Sequence, residues 1–309
     1  MKYLRIILVT VLFAALLGTA SAEVTFEGAS FDPEAVYIDL GDRVVSDFDA
    51  FISFLDQMPN LRQVDMWNTT MTAGMCDLLA ARFPDMKWGW TMKLQGKDHF
   101  HLIRTDYTSW STLHNNSTTH HTSEDFHILK YCWDLKALDV GHNSVTDLNF
   151  LYDLPDLRVL IVACNEVTDI TPVASLRKLE YVELFKNKIS DISPLAGLTH
   201  LLDVNICFNQ VMDWSPLKTL TNCMRLWIYS SQKFNQRPPA NVVADLKQAL
   251  PNTLIDDSHY STAGAWRMLN ENTRHPHYEC IVQMFGDSHL HPKYEYVPFP
   301  ESSMFDGEP

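Results

Sequence analysis

Few residues in this chain stand at spacings that could do chemistry. The strongest are near the C-terminus: His275-x-His277, with Cys280 behind it and His289-x-His291 further on. Alternate residues of a strand point the same way, so a His-x-His pair can present two imidazoles to one metal ion. The competing reading is that histidine and proline in an aromatic tail are loop composition. His275, His277, His289 and His291 are therefore weak metal candidates, and no cofactor is expected. No nucleophile elbow, phosphate-binding glycine loop, dinucleotide fingerprint or HExxH helix occurs. The chain reads as a non-enzyme, with a hydrolase the less favoured alternative.

The whole chain sets bounds on what could position such residues. It has 309 residues, 46% hydrophobic and 20% charged, which allows a sizeable core and excludes a disordered, collagen-like or multi-span membrane chain. Its formal charge is −14, and two units lower without Lys2 and Arg5, so nucleic acid and anionic membrane are not expected partners. Residues 1–22 have the form of a signal peptide. Lys2 and Arg5 precede the apolar run Ile6–Leu17, and Ala20-Ser21-Ala22 supplies a small-residue cleavage pattern. A membrane anchor would need about 20 apolar residues. The expected location is extracellular, or periplasmic if the source has an outer membrane, with no membrane insertion after cleavage. The six cysteines (Cys76, Cys132, Cys164, Cys207, Cys223 and Cys280) form no CxxC pair and read as buried thiols rather than a disulfide framework.

Between 135 and 231 the sequence repeats every 22 residues. The rungs begin LKALDVGHN at 135, LRVLIVACN at 157, LEYVELFKN at 179 and LLDVNICFN at 201, with a degenerate CMRLWIYSS at 223. Val145, Val167, Ile189 and Val211 recur in phase, as do Asp147, Asp169, Asp191 and Asp213, then Pro172, Pro194 and Pro216. Such a period marks a solenoid. Positions 4 and 6 of each rung point inward from a short strand, while positions 3, 5 and 7 point outward. Asn143, Asn165, Asn187 and Asn209 stand where the chain leaves the strand. There an amide can satisfy backbone groups of adjacent rungs, making a structural asparagine ladder. The short Asp-x-x-Pro return has room for a 3₁₀ turn and not for a long helix.

These rungs resemble the 22-residue leucine-rich repeats of bacterial internalins and related secreted proteins. The resemblance implies an α/β leucine-rich-repeat solenoid, with a curved parallel β-sheet on the concave face and helices or 3₁₀ turns on the convex face. Longer, helix-bearing repeats and a cap are expected over 23–92, from strands near Val36–Leu40, Leu61–Met66 and Met86–Trp90 separated by helical apolar faces. An insertion loop and helix follow at 93–134, with the polar run Asn115–His121 and a helix at Phe126–Tyr131. The regular repeats fill 135–231, a capping repeat 232–256, and an irregular tail 257–309 that either folds back over the last rungs or is disordered at its end.

Stacked outward positions place Tyr181, Glu183, Phe185, Asp203, Asn205, Arg225, Trp227 and Tyr229 on the concave face. Aromatic rings among acids on a rigid sheet have the composition of an interaction hot spot. The alternative is that the insertion or the tail covers them. The expectation is a secreted binding protein whose concave face holds a protein or glycan partner. The alternative is a metal-dependent adhesin or surface-complex component that uses the His-rich tail.

Overall fold

The computed structural model describes residues 22–97, 100–112, 120–229, 237–258, 266–287 and 289–307. The expected signal peptide lies outside the described residues except for Ala22. The run 115–119 and the end of the fifth rung at 230–231 also lie outside them.

Each regular rung contributes one three-residue strand to a seven-stranded parallel sheet. In chain order these are Ser109–Ser111, Ala137–Asp139, Val159–Ile161, Tyr181–Glu183, Asp203–Asn205, Arg225–Trp227 and Leu254–Asp256. Equivalent positions pair in register, Tyr181 with Val159 on one side and Asp203 on the other, so each outward row is one residue per rung. The inward Leu138, Leu160, Val182, Val204 and Leu226 are fully buried. Each such side chain contributes about 1.5–3 kcal/mol, available only when rungs stack. The molecule is a leucine-rich-repeat solenoid.

The rung ends are built the same way each time. Asn187 donates through Nδ2 to the carbonyls of Val162 (2.9 Å) and Leu184 (3.1 Å), and its Oδ1 accepts from Val167 N at 3.0 Å. Asn165 and Asn209 repeat that pattern one rung away on either side. Asn143 reaches the first strand's rung through Thr112 Oγ1 at 3.0 Å. The residue before each asparagine (His142, Cys164, Lys186 and Phe208) has φ of 57°, 57°, 56° and 55°, a left-handed turn that tilts the amide back under the preceding rung. On the convex side the returns are 3₁₀ turns at Asn149–Asp153, Thr171–Ser175, Ser193–Leu195 and Ser215–Thr219. The aspartate before each turn accepts from a backbone N–H two residues on, at 2.8 Å for Asp169 and Asp191. In the last three of these turns proline occupies the first positions, where its missing N–H costs nothing.

The N-terminal repeats carry true helices. Helix α1 (Phe48–Leu55) is capped by Asp47 and buries Phe51, Phe54 and Leu55; α2 (Ala73–Arg82) is capped by Thr72 and buries Cys76 and Leu79. They connect parallel strands Tyr37–Asp39, Gln63–Met71 and Lys87–Gln95. The expected single curved sheet is interrupted here. Phe100–Arg104 turns back to pair antiparallel with Lys87–Gln95, which ends this four-stranded sheet, and Ser109–Ser111 then starts the seven-stranded one. The stretch 93–134 is thus more than a loop and helix. It supplies the first rung of the main sheet, and its helix is a 3₁₀ helix over Glu124–Tyr131.

Helix α3 (Ala240–Ala249) follows Pro238-Pro239 and leads into the last strand. The tail is not irregular. It forms a hairpin (Met268–Asn270 with Thr273–Arg274), then helix α4 (Pro276–Phe285), then a 3₁₀ turn at Ser302–Phe305. Helix α4 has His275 at its N-cap, Pro276 in its first turn and Gly286 just beyond its end, at φ +83°. No described helix is long and apolar enough to cross a membrane.

Candidate binding surface: the concave face and the tail across it

Of the two readings of the concave face, an open binding surface and one covered by the tail, the structure shows the second over most of its width. Helix α4 and the flanking tail lie across it and make a second apolar core. In that core Tyr181, Ile161 and Trp227 pack with Trp266, Ile281, Met284, Phe285 and Phe299. Tyr181 is 0% exposed and Trp227 3%. Phe299 stacks on Tyr181 with centroids 5.8 Å apart, and Trp266 meets Trp227 edge to face at 5.4 Å. The Trp266 Nε1–H donates to the Tyr181 hydroxyl at 2.8 Å. Burying these rings removes more apolar area from water than an open sheet could, which is the physical reason for closure.

Asp203, Asn205, Glu183 and Arg225 are also buried, so they are interior groups and not exposed partner contacts. Arg225 forms a bidentate pair with Asp203, Nε–Oδ1 2.7 Å and Nη2–Oδ2 2.8 Å, and donates through Nη1 to the Trp266 carbonyl at 2.8 Å. Of the eight expected contacts, Phe185 and Tyr229 keep half-buried positions. Phe208 sits between them in edge-to-face contact, at 5.4 Å from Phe185 and 5.7 Å from Tyr229. These three rings form a row along the rim.

The histidine pairs do not come together as one site. Pro276 starts a helix, so His275 and His277 do not share a strand face. His277 turns into the interior, with Nδ1 2.5 Å from Asp203 Oδ2 and Nε2 2.6 Å from Glu301 Oε2. A carboxylate on each nitrogen requires both nitrogens to donate, which is the imidazolium form. Burial alone would lower the His277 pKa, but the hydrogen bonds and charges of Asp203 and Glu301 raise it above the ordinary histidine value. Burial pulls His275 down to about 4, and Arg225 adds to the effect. Donor atoms of Asp203, His275 and His277 lie within 4.8 Å of one another. Arg225 and His277 already occupy the Asp203 carboxylate, so the set is built as a charge-balanced clamp and fits a metal ion poorly. His289 is exposed and His291 lies on a different cavity wall, apart from the clamp.

A second clamp lies one rung back. The buried Glu180 pairs with Arg158 at 2.7 Å and accepts from the Ser302 hydroxyl and from Tyr296 Oη at 3.3 Å. Further along, the Tyr294 carbonyl accepts from Thr108 N at 3.1 Å, and Tyr107 stacks on Tyr294 at 4.4 Å. Sequence reasoning missed Arg267, and it missed Glu180, Trp266 and Glu301 because their partners lie far along the chain: 122 residues separate Ser302 from Glu180.

Two carboxyls of the outward row remain beside the rim, Asp139 and Glu183. Burial lifts Asp139 to about 6, against the opposing hydrogen bonds of Gly141 N–H and Ser111, and lifts Glu183 to about 7. All six cysteines are free thiols, five of them buried.

No family model matches the chain, and no curated protein matches it. Among solved structures it is similar to internalin C2 of Listeria monocytogenes: 21% identity over 72% of this chain and 80% of that one, TM-score 0.38. A second Listeria monocytogenes internalin, internalin F, shows 19% identity over 67% of this chain and 66% of that one, TM-score 0.34. A leucine-rich-repeat protein of Leptospira interrogans shows 18% identity over 68% of this chain and 47% of that one, TM-score 0.36.

Proposed function

We propose that this chain is an exported, non-catalytic leucine-rich-repeat binding protein that holds a protein or glycan partner at the rim of its concave face. One observation carries the reading: Phe185, Phe208 and Tyr229 form a continuous, partly buried aromatic row, the first two on rungs whose ends Asn187 and Asn209 fix. Rings clustered on a rigid frame are the composition of a hot spot, and a rigid frame loses little entropy on engagement. Export rests on the signal pattern of residues 1–22, and cleavage after Ala22 would leave Glu23 as the first residue. The buried Tyr181, Glu183, Asp203, Asn205, Arg225 and Trp227 support the rim from below.

The test is capture of surface components from bacterial and host extracts by the mature chain, repeated with Phe185→Ala and Tyr229→Ala. Each substitution is expected to weaken capture by about 2 kcal/mol with little change in melting temperature. Capture that is unaffected by both would refute the rim as the site.

A further inference from the structure

Beside the rim, α4 and the sheet enclose a cavity of about 600 Å³, within the range of small-ligand sites. On the sheet side stand Asp139 and Glu183, in the same outward row two rungs apart, roughly 9–10 Å along the stack. On the tail side stand Arg267, Tyr278 and Phe285.

The polar groups on the two walls differ in how well they are satisfied. Asp139 accepts from Ser111 Oγ at 3.0 Å and from Gly141 N at 2.8 Å. Glu183 is 5% exposed, and among the described residues the only hydrogen bond to its carboxylate is a long one from the Tyr181 hydroxyl, 3.4 Å. The Arg267 guanidinium lies over the Tyr278 ring at 4.9 Å, and its buried Nε has no hydrogen-bond partner. The charge of Arg267 acts on Glu183 and Asp139 across the cavity, but its Nε donates to neither, and Glu183 accepts only the long Tyr181 bond, so a ligand of matching charges would remove two partly uncompensated desolvation penalties. An anion alone would meet Asp139 and Glu183, and a cation alone would leave Arg267 unsatisfied.

We propose that this cavity binds a small zwitterion of the α-amino-acid class, with its carboxylate on Arg267, its ammonium on Glu183 and an apolar side chain against Tyr278 and Phe285. Guanidinium matches a carboxylate in a planar two-bond geometry, and Asp139 adds a second negative charge toward the ammonium. The cavity shares Phe185 with the aromatic row, whereas Phe208 and Tyr229 do not line it, so Tyr229 is the residue that tells the two sites apart.

The experiment is isothermal titration calorimetry of the full mature chain with L-phenylalanine, L-leucine, phenylalaninamide and N-acetylphenylalanine. At least one free amino acid should bind, and the amide and N-acetyl forms should bind about tenfold or more weakly than free phenylalanine or leucine. Arg267→Gln should abolish the preference over the amide, and Glu183→Gln the preference over the N-acetyl form, with each variant still melting cooperatively. Tyr229→Ala should leave amino-acid binding unchanged, which separates this site from the rim. A folded wild-type chain that binds neither amino acid, or that binds the blocked forms equally well, overturns the proposal. Natively melting Arg267→Gln and Glu183→Gln variants with unaltered preferences also overturn it.

Discussion

At the scale of single residues, buried polar groups with matched partners hold the rungs and the tail together. Asn187 satisfies the carbonyls of Val162 and Leu184 and the amide of Val167 across two rungs. Asn187→Leu should therefore cost roughly 1–3 kcal/mol, read as a lower denaturation midpoint in urea. The titrating groups give a pH dependence opposite to that of salt-bridged acids. Glu183 is held above its usual 4.5, near 7, so without a ligand the folded state keeps its proton to a higher pH than the unfolded chain does. Its contribution is fully present below about 4.5 and is lost as pH rises to about 7, on the order of 3 kcal/mol. His277 is also raised when folded, so its contribution is present below about 6.5 and is lost as pH rises through the higher folded value. Melting temperature should fall from pH 5 to pH 8. Glu183→Gln should flatten the lower half of that slope and His277→Gln the upper half. A slope unchanged in both variants would show that neither carboxyl nor imidazole is linked to folding.

At the scale of elements, the rung was legible because its period repeats the same physical demands every 22 residues: inward apolar pairs, a turn amide, and a capped 3₁₀ return. The left-handed residue before each asparagine was not legible, since His142, Cys164, Lys186 and Phe208 share no residue type that would announce positive φ. Lys186→Gly should change stability by less than about 1 kcal/mol, because relief of the left-handed strain offsets the added freedom of the unfolded chain. Lys186→Val should cost more, about 1–3 kcal/mol, because a β-branched side chain resists that backbone. Chemical denaturation of the two variants checks the order, and equal midpoints would contradict it. Helix α4 left local signals that could have been read: an N-capping His275, Pro276 in the first turn, Tyr278, Ile281, Val282 and Phe285 at helical spacing, and Gly286 after the end. The abundance of His and Pro around it obscured them. The His-x-His reading assumed a strand where Pro276 starts a helix, and the helix start still brings donor atoms of His275 and His277 within 4.8 Å of Asp203.

At the scale of the whole molecule, alternation along each strand gave the direction of Tyr181 and Trp227 but not what would cover them. That depends on a tail returning across the sheet, and the clamps that hold it, Asp203–His277–Glu301 and Glu180–Ser302, join residues too distant for any local pattern to connect. The solenoid therefore has two cores, one between the rungs and the convex returns, and one between the concave sheet and the tail. Among the described residues, the rim row of Phe185, Phe208 and Tyr229 is covered only in part, and a cavity lies beside it. The most direct test of this closure is the denaturant midpoint of Trp227→Ala in the full mature chain, measured beside Tyr229→Ala. A covered concave face predicts a loss of about 3–5 kcal/mol for Trp227→Ala and a much smaller one for the rim residue. Trp227→Ala with a wild-type midpoint would mean that the ring stands in solvent and that the tail does not close the face.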